Sequence, residues 1–378
     1  MEHDAVRAEF PVVAETAFFN HAAVSPLPRR ACLAGQAVFA DRCQRASADY
    51  FRWMDTVAET RLRAARLLGT VPGQVAFTGN TSHGLGLVAA GLAWRAGDTV
   101  AVTWPDFPTL RFAFDNLAGR GVRIVEIPKH DGRVDLDAAR RLVPGCRLVV
   151  ASTVDWSTGV AAPVEELAGL CRQFGALLCL DAIQSLGALP LDVTALGVDF
   201  LAAGCHKWQL GPMGLGIFYV SPASGGLLDT VLAGWRSMRE AEALGPDFRL
   251  ADGAGRFEPG TQDIAGIAAY GASLSLLEAI GAQAVRERIF AVCDGLAAGL
   301  AARGLAVASP LAGPERSGIL AFGHPDAPGL YAALMGANVP VSLRAGRIRL
   351  SPHCYNDARD TERFFAVLDA FDGREPYC

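Results

Sequence analysis

The sequence predicts an α/β protein: a large domain built on a mostly parallel sheet, followed by a smaller α/β domain at the C-terminal end. Three observations carry this expectation. Apolar runs in the middle of the chain are continuous and not alternating, as in Leu148-Val149-Val150-Ala151-Ser152. That is the pattern of strands covered on both faces. Such runs alternate with amphipathic stretches, as parallel strands joined by crossover helices do. A long run with few charges, Thr261 to Ile280, then leads into a second alternation of helices and short strands from about residue 285.

The elements follow in order. Gln74 to Thr78 reads as a strand, Gly79-Asn80-Thr81-Ser82-His83-Gly84 as a glycine-rich loop, and Leu85 to Leu92 as an apolar helix. Thr99 to Thr103 is a short strand. After Leu148 to Ser152, Val164 to Phe174 has helical spacing, with Leu167, Leu170 and Phe174 on one face. Leu177 to Asp181, Phe200 to Ala203 and Gly216 to Val220 are three more buried strands. Thr261 to Ile280 suits a connector helix packed against both domains.

Composition narrows the function classes. Of 378 residues, 51% are hydrophobic and 19% charged, enough for a sizeable core. The net charge is −5 and no basic run tracks a phosphate backbone, which disfavours nucleic acid as a partner. No apolar stretch reaches the roughly 18 residues of a membrane span. The start, Met1-Glu2-His3-Asp4, lacks the basic and apolar regions of a secretory signal. Nine cysteines without paired spacing read as free thiols in a reducing cytoplasm, with Cys171 and Cys179 in the core. Zinc-type ligand spacings are absent, so no metal is expected.

Of 34 basic residues only two are lysines, Lys129 and Lys207. Arginine can replace lysine as a solvated charge but cannot deprotonate to form an imine. Lys129, in Pro128-Lys129-His130-Asp131-Gly132, reads as an exposed turn residue. Lys207 lies between two apolar runs and needs another reason.

An aldehyde cofactor carrying a phosphate asks for an amine, an acid for its ring nitrogen, a flat partner and several phosphate donors. Lys207, just after the Phe200–Ala203 strand, is the candidate amine, where an α/β sheet places ligand contacts. Asp181, at the end of its strand, is the candidate acid, since a carboxylate is costly to bury without a cation. Gln184 is placed to reach the cofactor's phenolic oxygen. Thr81 and Ser82 offer hydroxyl and backbone donors at a helix start. Phe107, between Pro105 and Pro108, is the candidate stacking ring. The plainer readings are a snorkelling Lys207, a helix-capping Asp181, an ordinary cap at Thr81 and a core Phe107. Neither a Walker loop nor a G-x-G-x-x-G fingerprint is present, which disfavours a nicotinamide dehydrogenase.

In sequence order, Asp181-Ala182-Ile183-Gln184, Gly204-Cys205-His206-Lys207 and Gly211-Pro212-Met213-Gly214-Leu215-Gly216 resemble the class V aminotransferase family. That family includes cysteine desulfurases, kynureninases and isopenicillin N epimerase-like proteins. Phe19-Asn20-His21-Ala22-Ala23, Phe257-Glu258-Pro259-Gly260-Thr261 and Arg349-Leu350-Ser351-Pro352-His353-Cys354-Tyr355-Asn356 resemble its other motifs. The resemblance implies a fold-type I enzyme with a seven-stranded-type sheet and pyridoxal 5′-phosphate (PLP) held by Lys207 as a Schiff base. It implies an N-terminal arm over 1–28, a large PLP-binding domain over 29–262, and a connector helix with a small domain over 263–378. It also implies a homodimer in which Thr261 reaches the neighbouring subunit's cofactor phosphate. His206 would sit near the phosphate. Lys207 would move the α-proton of a small amino-acid substrate while the ring beside Asp181 holds the carbanion.

Arg349 would take the substrate carboxylate through a bidentate fork, with Arg347 as a second candidate and a structural ion pair as the plain alternative. Relatives often place Asn or His at the Thr153 position, so Thr153 or Asp155 is expected to supply that cofactor contact. His21 and Trp156 are expected to line the substrate side. Desulfurases need a cysteine shortly before the carboxylate-binding arginine and a His over the ring. Between Cys293 and Arg349 there is no cysteine, Cys354 follows the arginine, and Phe107 occupies the ring position. Transamination or carbon–sulfur/carbon–carbon lyase chemistry is therefore expected. An epimerase, a desulfurase with an unusual cysteine and a non-catalytic PLP-binding protein are the alternatives.

Overall fold

The computed structural model describes residues 1–371 except 244, 246 and 247. The larger sheet has eight strands. Its strands are β1 (Val75–Thr78), β2 (Thr99–Trp104), β3 (Arg123–His130), β4 (Arg133–Val134), β5 (Leu148–Ser152), β6 (Leu177–Asp181), β7 (Phe200–Gly204) and β8 (Gly216–Val220). Their order is β1-β8-β7-β6-β5-β2-β3-β4. Neighbours from β3 through β2, β5 and β6 to β7 run parallel, while β8 lies antiparallel between β7 and β1. The sheet is thus mostly parallel, with two-residue β4 added at one edge by a hairpin on β3.

Continuous apolar runs make this sheet because both faces are covered. Every residue of β5, β7 and β8 is buried. Val149, Leu178 and Leu201 face one core cluster, and Val150, Cys179 and Phe200 face a second across the sheet. The Val164–Phe174 helix forms over the expected residues and buries Leu167, Ala168 and Cys171.

Three boundaries differ from expectation. The first long helix after β1 starts at Thr81, four residues before Leu85, because Asn80 caps it through a hydrogen bond to the His83 N–H (2.9 Å). Gly84 therefore lies inside that helix; a Cβ there would meet Ala202 at 2.6 Å, so glycine permits the close seat on β7. The connector helix starts at Ile264, capped by Asp263, and Thr261 precedes it in extended chain. Third, the polar stretch at 128–132 is the end of β3 and its hairpin, not an exposed turn.

A second sheet, β9 (Leu320–Phe322), β10 (Ser342–Arg344) and β11 (Arg347–Leu350), is antiparallel in the order β10-β11-β9. Helices Ala282–Ala302, Ala327–Gly336 and Ala358–Phe371 accompany it. The N-terminal segment joins this sheet's side: Phe19 donates to the Pro340 carbonyl, and Asn20 bridges to Ser351. Among the described residues no single helix is long and apolar enough to cross a membrane. The eight described cysteines are free, Cys171 and Cys179 are buried as expected, and Cys354 is buried too; Cys378 lies outside the described residues.

Candidate active site

The carboxyl ends of β2, β5, β6 and β7 open on one cavity of about 610 Å³, within the usual range for small-molecule sites. Asp181 ends β6 and Ser152 ends β5, so both reach the cavity directly from the sheet. Lys207 follows β7 by three residues and enters from the same edge. Its backbone is pinned: the Ser25 hydroxyl donates to the Lys207 carbonyl at 2.6 Å, and the Ser25 N–H to that of His206 at 2.8 Å.

Electrostatics favour uncharged forms here. Burial pulls the Lys207 ammonium down to about 8; Asp181 opposes the fall, and Arg349 and Arg344 add to it. Burial pushes the Asp181 carboxyl up to about 7, against the Ile183 N–H that donates to it at 2.9 Å. Burial, then the Lys207 charge, lowers the half-buried His206.

The candidate residues divide into those the fold brings together and those it does not. Thr81, Ser82, Phe107, Trp156, Asp181, Gln184, His206, Lys207 and Arg349 all line the cavity. Phe107 lies with its ring centroid 5.9 Å from Lys207 Nζ and stands edge-on to Trp156 at 6.0 Å. The Thr81 hydroxyl accepts from the Gly204 N–H (2.9 Å), which ties the helix start to the strand that carries Lys207. Gln184 Nε2 donates to the Ala22 carbonyl (3.1 Å) while its Oε1 accepts from Trp208 Nε1 (3.1 Å).

His21 does not line the cavity. It is fully buried: Nδ1 donates to the Ser351 carbonyl at 2.8 Å, which leaves Nε2 to accept from the Tyr355 hydroxyl at 2.9 Å. Burial, with His353 nearby, holds it well below the usual histidine range, so it is a neutral joint between the N-terminal segment and β11's trailing loop. The neighbouring Ala22 and Ala23 face the cavity instead.

Thr153 and Asp155 do not line it either; just past the end of β5, Val154 and Trp156 take the cavity positions beside Ser152. Thr153 donates to the Asp181 carbonyl (3.1 Å) and pairs with Ser185 (2.7 Å). Asp155 accepts from Ser157, Thr158 and Lys129. Lys129, expected at the surface, is buried between Asp106 (2.8 Å) and Asp155 (2.6 Å), because two carboxylates in the core need a cation. Arg347 is half-exposed and lies 3.8 Å from Asp131, away from the cavity. Thr261 is exposed and outside the cavity of its own chain.

Asn80, Asp106, Thr109 and Arg344 line the cavity and were not singled out from the sequence. Thr109 is linked to Ser82 through their hydroxyls (2.9 Å). One signal for Arg344 was present: Arg344-Ala345-Gly346-Arg347 is a two-residue hairpin turn that sets Arg344 and Arg349 in one sheet.

The donor set suits a phosphate-bearing aldehyde. A neutral-leaning amine and a buried carboxyl without a cation of its own share one cavity, and hydroxyls cluster where helix N–H groups lack intrahelical partners. Fold and donor set together define a fold-type I, PLP-dependent enzyme. The class V aminotransferase family profile matches residues 17–364, and the chain belongs to that family. A "Probable cysteine desulfurase" of Pyrococcus abyssi is 27% identical, over 96% of each chain. Two solved structures of the protein C-DES superpose closely. One is a variant with glycine covalently linked to its PLP cofactor: TM-score 0.89, 25% identity, 96% of this chain and 99% of that one. The other is described as the cystine C–S lyase C-DES with its reaction product cysteine persulfide: TM-score 0.88, 26% identity, 95% and 99%.

Proposed function

We propose that this enzyme removes the α-proton of a small amino acid at Lys207 and completes a carbon–sulfur bond cleavage, releasing the sulfur fragment to solution. One observation carries the reading: the Lys207 amine, pulled toward its neutral form, shares a cavity with Asp181 and with Arg349, which forms no close ion pair among the described residues.

Lys207 is the residue that would hold PLP, Asp181 would face its ring nitrogen, Phe107 its ring face, and Asn80, Thr81, Ser82 and His206 its phosphate. When bound, PLP supplies an electron sink for the substrate's α-carbon. The remaining steps belong to the chain. Arg349 orients the substrate: its Nη1 and Nη2 donate to the Trp156 carbonyl (2.5 Å) and Ser342 (3.3 Å), while Nε is buried without a partner. An α-carboxylate in the cavity would match the Arg349 charge. Neutral Lys207 Nζ takes the α-proton, and the resulting ammonium returns it to the departing sulfur. Trp156 and Phe107 form one apolar wall of the cavity.

The fate of the sulfur follows from the thiols. Among the described residues no cysteine lines the cavity; Cys205 and Cys354 are fully buried, and burial pushes Cys354 up to about 12. The exposed Cys32 and Cys43 lie on the helix Arg29–Arg45, which does not line it either. With no described thiol at the cavity to accept the sulfur, release fits better than an enzyme-bound persulfide. The same reading includes a homodimer, with exposed Thr261 reaching the partner's cavity.

The test supplies the holoenzyme with L-cysteine, L-cystine and S-ethyl-L-cysteine in deuterated water. Pyruvate and ammonia are expected in equal amounts with sulfide from cysteine, cysteine persulfide from cystine and ethanethiol from S-ethylcysteine, unchanged by replacing Cys32 and Cys43 with Ser and lost in Lys207→Ala. Neither α-deuterium exchange nor pyruvate with any of them would overturn the reading.

A further inference from the structure

The hairpin that carries Arg349 presents more positive charge than one carboxylate needs. β10 and β11 pair Ser342 with Arg349 and Arg344 with Arg347. Their two-residue turn, Ala345 (φ 47°) and Gly346 (φ 74°), has the left-handed backbone that a tight hairpin requires. Side chains two apart on a strand share a face, as do directly paired residues. Ser342, Arg344, Arg347 and Arg349 therefore stand on one face, while Ile348 and Leu350 on the other face are fully buried.

The three arginines on that face are not equivalent. Arg347 lies 3.8 Å from Asp131. Arg349 is buried, lines the cavity and is held by the Trp156 carbonyl and Ser342, which places its charge for an α-carboxylate. Arg344 also lines the cavity, where its one hydrogen bond goes to the adjacent Leu343 carbonyl (2.9 Å), and it has no acid partner among the described residues. Two acids line the cavity with it. Asp106 is held by Lys129, and Asp181 is the partner assigned to the cofactor ring.

Two guanidiniums in one partly desolvated cavity repel each other, and a single carboxylate neutralises one of them. The proposed phosphate donors sit on other elements, the Thr81–Gly91 helix and the loop after β7, so the phosphate leaves the hairpin's charge unmatched. We propose that Arg344 reads a second anionic group, and that the substrate is an amino acid whose side chain ends in a carboxylate or a comparable oxyanion. This rests on the reading of Arg349 as the α-carboxylate site.

The test uses two thioethers of similar shape, S-carboxymethyl-L-cysteine and S-propyl-L-cysteine, which differ by one negative charge. Dissociation constants are read from the change each causes in the cofactor's absorption, alongside KM and kcat. The holoenzyme is expected to bind the carboxymethyl compound at least tenfold more tightly. Arg344→Gln should raise its dissociation constant and KM about tenfold with kcat unchanged, and leave the propyl compound within twofold. Arg349→Gln should weaken both. Equal binding of the two compounds, or equal weakening of both by Arg344→Gln, overturns the proposal; the second result means both arginines hold one carboxylate. Binding without turnover would sink the lyase reading and leave Arg344 judged by the affinities alone. No absorption change with either compound would sink both.

Discussion

Lys129 Nζ lies 2.6 Å from Asp155 Oδ2 in the protein interior, and this ion pair fastens two walls of the active-site cavity to one strand edge. The same ammonium holds Asp106, the residue before Phe107, and Asp155 is the residue before Trp156. A compact ammonium bridges two carboxylates at 2.8 and 2.6 Å where a planar guanidinium would need more room. That accounts for one of two lysines in a chain whose other cations are arginine.

Lys129→Met should destabilise the protein by about 3–5 kcal/mol, because it leaves two buried carboxylates uncompensated. Urea unfolding measures this, and an unchanged midpoint would contradict it. Burial raises the Asp155 carboxyl, but Lys129 and the Ser157 and Thr158 donors outweigh that and bring it down to about 2. A carboxyl depressed in the folded state contributes stability above its unfolded value. The Asp155 contribution should therefore be whole above about pH 4 and fade as the pH falls through about 2.

Capture of PLP by apoprotein should depend on the neutral fraction of Lys207. With the amine held near 8, the rate of Schiff-base formation should rise about tenfold per pH unit between pH 6 and 7.5 and flatten above 8. Rapid mixing followed by absorption measures it. A rate still climbing at pH 10 would mean the lysine titrates like a solvated one.

His21→Ala should act on stability and not on substrate choice. It leaves the Ser351 carbonyl and the Tyr355 hydroxyl without their buried partner, at a cost of about 1–3 kcal/mol. The ratio of kcat/KM between any two substrates should stay within twofold. A changed ratio would return His21 to the substrate wall.

Phe107→Ala should loosen the cofactor. An aromatic pair contributes about 0.5–1.5 kcal/mol beyond area burial, so the apparent dissociation constant for PLP should rise roughly 2- to 12-fold. Phe107→Tyr should restore it. An unchanged constant would mean the half-exposed ring has no part in cofactor binding.

Much of this protein was open to reading along the chain. Strands such as Leu148–Ser152 and Leu177–Asp181, and the helix Val164–Phe174, announce themselves through local periodicity, which needs no knowledge of distant residues. Asp181 and Lys207 were legible for a related reason. A charge that ends or closely follows a buried strand has few places to go except the sheet's ligand edge.

The tertiary structure alone decided where the remaining polar groups point. Lys129 looked solvated until Asp106 and Asp155, more than twenty residues away on either side, closed around it. His21 looked like a cavity residue until β11's loop supplied both of its hydrogen-bond partners. Thr153 and Asp155 looked like cofactor contacts until Ser185 and Lys129 took them, leaving the cavity positions to Ser152, Val154 and Trp156. Arg344 gained its place through a hairpin register. Periodicity is a local property of the chain, but burial and the pairing of a charge belong to segments that meet only when the chain folds.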